Sequence, residues 1–220
     1  MAQAKKIEQE PKFWDRLFAS PGIVGIITTV DAEGKVNAAS FGTIVRVVHN
    51  PVQIAFTTNT TGKDTYNNIK ATGQFVVNLP SFERRILEQV CIVGLPFAPG
   101  VNELEKAGLT AAPSRVVKPP RIQECPRSFE CEVVWTKEWL NRFTIVGNVV
   151  AAAVDSDCVD DQGFVVWDTL KAVTYCGAPY LNLPPHRHMF VAAYETIAVE
   201  TPYAGPEVEA YNSLVANLKI

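Results

Sequence analysis

Residues 36–78 read VNAASFGTIVRVVHNPVQIAFTTNTTGKDTYNNIKATGQFVVN, and the hydrophobic rhythm changes twice inside them. Val36 to Val48 is a long strand candidate rich in β-branched residues, His49-Asn50-Pro51 turns the chain, and Val52 to Thr58 is a further strand. Asp64 to Ala71 then has helical character closed by Gly73, and Gln74 to Leu79 returns to strand. Just upstream, Gly22 to Val30 (GIVGIITTV) is another β-branched run, joined to Val36 by the turn Asp31 to Lys35. Consecutive strands with links this short predict an antiparallel meander, because a parallel pair needs a crossover of about a dozen residues.

Working outward, Phe82 to Val93 reads as a helix, with Ile86, Leu87 and Val90 at three-to-four spacing. Gly94 to Arg127 is rich in Pro and Gly, with a short helical stretch at Asn102 to Ala107, and is expected to run as an ordered excursion over the barrel. Ser128 to Trp139 and Arg142 to Val154, joined by a tight turn at Leu140-Asn141, give the strongest β signal of the chain. Phe164 to Lys171 is ambiguous, Phe190 to Glu200 suits a strand or a helix, and Pro206 to Leu218 reads as helical. The expected fold is mainly β with peripheral helices, a six-stranded antiparallel barrel, closed or split, that hides the edges of its long strands. Residues 1–20 form a helix-prone leader, 21–200 the barrel domain, and 201–220 a C-terminal helix.

The 220 residues are 47% hydrophobic and 20% charged, which suits one packed domain and excludes global disorder. With 20 Lys+Arg against 23 Asp+Glu there is no bulk basic footprint for nucleic acid. Charges interrupt the first residues where a signal peptide needs an apolar run, and no stretch has membrane-spanning length, so a cytoplasmic protein without a membrane partner is expected. The five Cys are widely spaced and lack a C-x-x-C pair, as suits buried thiols rather than disulfides.

Thr57 to Thr65 (TTNTTGKDT) places hydroxyls, one Gly and one Lys between a strand end and a helix start. Unpaired N–H groups and the positive end of the dipole lie there, so Thr hydroxyls and the Lys63 ammonium can complete a phosphate cradle. The segment is not a Walker A loop, because the first Gly is missing and Asp64 follows Lys63. A plain strand-to-helix turn capped by Asp64 or Thr61 is the other reading. The small residues Asn37-Ala38-Ala39-Ser40 allow either a flat ring against the strand or close packing within a barrel.

Several blocks occur in order: P-x-x-V-x-x-x-T-T-V-D-x-x-G-K-x-N-A-A-S-F from Pro21, G-K-D-T-x-x-N-I from Gly62, T-G-x-F-V-V-N-L from Thr72 and E-x-x-x-A-G-L-x-x-x-P-S-x-x-V-x-x-P-R from Glu103. Across roughly residues 21 to 135 this pattern resembles the flavin reductase-like proteins of the FMN-binding split-barrel fold. The resemblance implies an FMN-binding oxidoreductase that takes electrons from NADH or NADPH and passes them to free flavin or another acceptor. It equally allows a flavoredoxin-like electron carrier that relays electrons to a partner protein without its own nicotinamide site, or an FMN enzyme with its own organic substrate. By position it implies that Ala38, Ala39, Ser40 and Thr43 line the isoalloxazine ring and that Thr57, Thr58 and Asn59 reach its polar edge and the ribityl chain. Thr61, Lys63 and Thr65 are implied to hold the phosphate, with Asn68 nearby. A homodimer is also implied, for which the aromatic leader Phe13 to Phe18 offers a surface.

No Ser-His-Asp or Cys-His signature and no G-x-G-x-x-G is present. The C-terminal third departs from the family pattern at VTYCGAPYLNLPPHRHM, residues 173–189. Tyr175, His186 and His188 are the catalytic candidates there. The H-x-H pair lacks an adjoining third ligand, so no metal site is expected.

Overall fold

The computed structural model describes residues 6–11, 22–61, 63–175 and 190–192. The first strands are β1 (Gly22–Val30), β2 (Val36–His49) and β3 (Val52–Asn59), followed by α1 (Asp64–Thr72) and β4 (Gln74–Leu79). Helices α2 (Arg84–Val93) and α3 (Glu103–Ala107) come next, then the two-residue strands β5 (Ala111–Ala112) and β6 (Arg121–Ile122). The long hairpin is β7 (Arg127–Trp139) and β8 (Arg142–Val154). A short α4 (Trp167–Leu170), β9 (Val173–Tyr175) and β10 (Phe190–Ala192) complete the described elements.

Strands run β1-β2-β3-β8-β7-β4, and β4 pairs back onto β1, so six antiparallel strands close into the expected split barrel. β9 adds to the outer end of β1 and β10 pairs with β9. Two apolar cores share the β1 wall. Ile27, Phe56, Phe75, Phe143 and Ile145 fill the barrel, and Phe56 meets Phe41 and Phe75 edge-on at 5.1 and 5.2 Å. Outside it, Val24, Ile26 and Ala38 pack against Val90 and Val93 of α2 and Leu104 of α3. Being covered on both faces, β1 carries a continuous apolar and Thr run instead of an alternating one. At Gly147 an added Cβ would lie 2.6 Å from the Phe75 ring, so only glycine admits that ring here.

The turns follow their sequence signals. Gly73 takes the left-handed conformation (φ 67°) and donates its N–H to the Ile69 carbonyl, ending α1. Leu140 and Asn141 both have positive φ (44° and 57°), the two-residue turn that matches strand twist. The expected helix from Phe82 starts two residues later, because Ser81 bridges to Ala172 and the Phe82 N–H donates to the Lys171 carbonyl at 2.7 Å. Of Phe164 to Lys171 only one turn is helical, ended by Lys171 at φ 47°. Residues 6–10 of the leader form no regular element. The leader's aromatic residues Phe13 to Phe18 and the C-terminal helix expected at 206–218 lie outside the described residues.

The 94–127 excursion is gripped by polar side chains of the barrel. Asn78 Oδ1 accepts from the Ile122 N–H, and the Thr28 hydroxyl donates to the Pro120 carbonyl. Glu130, with 0% exposure, accepts backbone N–H bonds from Arg115, Val116 and Val117 at 2.7–3.1 Å and pairs with Arg121. Burial alone would raise the Glu130 carboxyl, but those N–H groups and the Arg121 guanidinium together hold it below its ordinary value of 4.5. A carboxyl with a depressed folded-state pKa stabilises the fold above its unfolded value, and that stabilisation is lost as pH falls through the folded value. Glu130→Ala should therefore lower the unfolding free energy near neutral pH by about 3–5 kcal/mol. Urea titrations at several pH values should show the deficit shrinking in acid; a deficit independent of pH would contradict the assignment.

Candidate functional site

β2 changes partner partway along its length. Val36 to Ile44 pair with β1, whereas Val45 to His49 pair with β3. β3 meets β2 only through Val52 to Ala55, while its whole length from Gln53 to Asn59 pairs with β8. Beyond Val45 the two strands part, leaving a free edge on the first half of β2 and another on the second half of β3. Thr43 pins the point of divergence: its hydroxyl bonds both the N–H and the carbonyl of Thr57, each at 3.2 Å.

The opening forms a cleft of about 150 Å³. One wall is Ala38, Ala39 and Ser40 of β2, the other includes Thr58 of β3, and Lys63, Asp64 and Thr65 close the end at the start of α1. No side chain caps α1, which leaves its N-terminal dipole facing the cleft beside Lys63. Lys63 forms no ion pair among the described residues. A second cavity of about 340 Å³ adjoins along Ser40, Phe41, Gly94 and Leu95 and is otherwise lined by Val24, Gly42, Val90, Cys91, Tyr175 and Phe190. Together they make a continuous site, polar at the α1 end, where Lys63 stands with Asp64 and Glu103, and apolar at the Tyr175 end.

Six of the residues expected in the site, Ala38, Ala39, Ser40, Thr58, Lys63 and Thr65, line this cleft. The other five lie around it. Thr43 and Thr57 bond each other at the divergence, and Asn59 accepts from Arg142. Thr60 and Thr61 donate to Asn141 Oδ1, so the tip of the β7–β8 hairpin steadies the Thr-rich turn. Asn68 turns inward and donates to the buried Thr29 hydroxyl at 3.0 Å. Asn37 also donates to Thr29 and to the Thr65 hydroxyl, each at 3.1 Å, so this network locks α1 onto the barrel. Tyr175 stands in the apolar cavity, 5.4 Å from the Phe190 ring and against Gly42. His186 and His188 lie outside the described residues. Among the described residues no three His, Cys, Asp or Glu side chains converge to hold a metal ion.

Glu103 is a cleft residue that sequence reasoning passed over as a site residue. Asn102 caps α3 by accepting from the Leu104 N–H, which sets the helix start, and Glu103 Oε2 then accepts from the Ala38 N–H at 2.9 Å. Burial raises the Glu103 carboxyl; the backbone N–H groups of Ala38 and of Glu103 itself oppose that, and the Asp64 charge adds to it. Its only signal in the sequence was its position at the head of the E-x-x-x-A-G-L block. Pro96 and Phe97, after α2, also line the cleft and carried no signal of their own.

Residues 17–175 match the family model described as the flavin reductase like domain. An uncharacterised protein of Aquifex aeolicus (strain VF5) is 32% identical over 164 residues, 73% of this chain and 83% of that protein. Among solved structures, the flavoredoxin of Desulfovibrio vulgaris (Miyazaki F) superposes with a TM-score of 0.73 at 20% identity, covering 91% of this chain and 98% of that one. Nitrilotriacetate monooxygenase component B from Bacillus cereus does so with a TM-score of 0.73 at 22% identity, covering 90% and 98%. At those identities the likeness to the two structures is one of fold.

Proposed function

We propose a function for a member of the flavin reductase like domain family, to which this chain belongs: it holds FMN in the cleft between β2 and β3 and passes electrons through it to or from a partner other than a nicotinamide dinucleotide. The observation that carries this reading is the polarity of the site, with Lys63 and the uncapped α1 N-terminus at one end and an apolar cavity at the other. Lys63, the Thr65 hydroxyl and the first N–H groups of α1 would hold the phosphate. Ala38, Ala39 and Ser40 offer a flat wall for the ring, and by strand alternation the next free-edge amide after Ala38 is that of Ser40. Thr43, Thr57, Asn59, Thr61 and Asn68 would shape the site from behind. When bound, FMN supplies reversible redox chemistry, and the protein supplies orientation and shelter from water.

The carrier or own-substrate reading is favoured over an NAD(P)H:flavin reductase by the distribution of charge. Among the described lining residues of the cleft and the adjoining cavity, Lys63 is the single cation, and the FMN phosphate claims it. Among those described residues a dinucleotide pyrophosphate would find no second cation.

A second copy of the chain is proposed to cover the outer sheet face beside the cleft. Val45, Ala55, Val146 and Trp135 align across β2, β3, β8 and β7; Ala55 and Val146 are buried, while Val45 and Trp135 at the ends of the row are 49% and 48% exposed. Sedimentation should return the mass of two chains, and the mass of one would remove this part of the reading.

FMN added to flavin-free protein should be bound saturably, read by the change in flavin fluorescence. Lys63→Ala should weaken that binding by about 1.5–3 kcal/mol if the ammonium makes a charge-assisted bond to phosphate. Unchanged affinity would sink the phosphate assignment. In stopped-flow mixing of the FMN-loaded protein with NADH or NADPH, saturable bleaching with either would return the protein to the reductase reading.

A further inference from the structure

Glu103 poses an electrostatic puzzle. It is 8% exposed and lines a cleft that also presents Lys63, Asp64 and the start of α1. A buried carboxylate opposes an anionic ligand, so its presence calls for another task. That task is visible at the free edge of β2. Where β2 has parted from β3, the Ala38 N–H has no strand partner on the cleft side, and Glu103 Oε2 accepts from it at 2.9 Å. An unpaired amide at this depth would cost as much as a lost hydrogen bond.

We propose that Glu103 is the positioning and specificity-determining residue of the cleft: it pins the free edge of β2 through the Ala38 N–H, and its negative charge offsets Lys63, so that contacts with the ring outweigh contacts with the phosphate in ligand binding. The proposal rests on the FMN reading and adds to it a rule of selectivity. The two parts of the role separate by substitution. Glu103→Gln keeps an acceptor oxygen for the Ala38 N–H and removes the charge. Glu103→Ala removes both.

The experiment compares FMN with riboflavin, which has the same ring and ribityl chain without the phosphate, by fluorescence titration of wild type and both variants. Glu103→Gln should raise the preference for FMN over riboflavin about tenfold, with riboflavin affinity unchanged, because one opposing charge is gone. Glu103→Ala should weaken riboflavin binding about tenfold through the loosened β2 edge, a loss that Gln at the same position rescues. A Gln variant with the wild-type FMN-to-riboflavin ratio overturns the charge role. A folded Ala variant with wild-type riboflavin affinity overturns the positioning role; should that variant not fold, unaltered riboflavin binding by the Gln variant supports the positioning role and weakened binding counts against it. Wild-type protein that takes up neither flavin overturns the FMN reading and this proposal with it, whereas wild-type FMN binding with an unmoved ratio overturns the charge role alone.

Discussion

Over Val36 to Ile44 the hydrogen-bonding partner of β2 is β1; over Val45 to His49 it is β3. A strand of 14 residues that hands over from one neighbour to another must open the wall beside it, and the rest of the structure accommodates that opening. β3 leans away onto β8, the Thr43 hydroxyl substitutes for a ladder bond at the point of parting, and Glu103 satisfies one of the amides left bare, that of Ala38. The cleft is thus a consequence of strand pairing, lined by backbone whose hydrogen-bonding groups are otherwise unspent. A flat ring with a polar edge suits such a wall, because strand amides and carbonyls are rigidly spaced and a small side chain such as Ala39 lets the ring approach.

The supporting parts are rigid for identifiable reasons. α1 is tied to the barrel by the Thr29–Asn37–Asn68–Thr65 network, so the helix end that faces the cleft does not depend on a loop for its position. On the far side, Glu130 and Asn78 hold the 94–127 excursion, and α3 within it delivers Glu103. A fully buried, fully bonded carboxylate, Glu130, thus holds the segment in one place, and a buried carboxylate carried by the segment, Glu103, meets the Ala38 N–H in another. Burial, with Glu130 beside it, also pushes the Cys131 thiol up to about 12, which keeps it an inert part of the barrel core.

Much of this was legible in the residues. The rhythm of residues 36–78 gave two strands, a helix and a third strand with nearly the observed ends, and the Leu140-Asn141 turn was readable as tight. The Thr- and Lys-bearing stretch was readable as a strand-to-helix turn because its chemistry is local, and Lys63 and Thr65 do line the cleft. What could not be read is non-local. The β-branched residues of VNAASFGTIVRVVH gather in its second half and the small Ala38, Ala39 and Ser40 in its first, but nothing in it places the change of partner after Ile44, which is decided by β1 and β3. The resemblance implies Asn68 near the phosphate, and only the helix phase in the fold shows that its side chain turns inward to Thr29. Glu103 reaches Ala38 from 65 residues away, and only the packing of α3 against β2 brings them together.

The central claim is that the free edge along the first half of β2, Val36 to Ile44, together with the start of α1, is where FMN binds. Hydrogen exchange of backbone amides with and without FMN tests it most directly. The account predicts that the Ser40 amide and the first amides of α1, Asp64 and Thr65, slow markedly when FMN is added, while the β2–β3 ladder at Val45 to His49 is unchanged. Protection that leaves these amides untouched, or that appears elsewhere on the barrel, would contradict it.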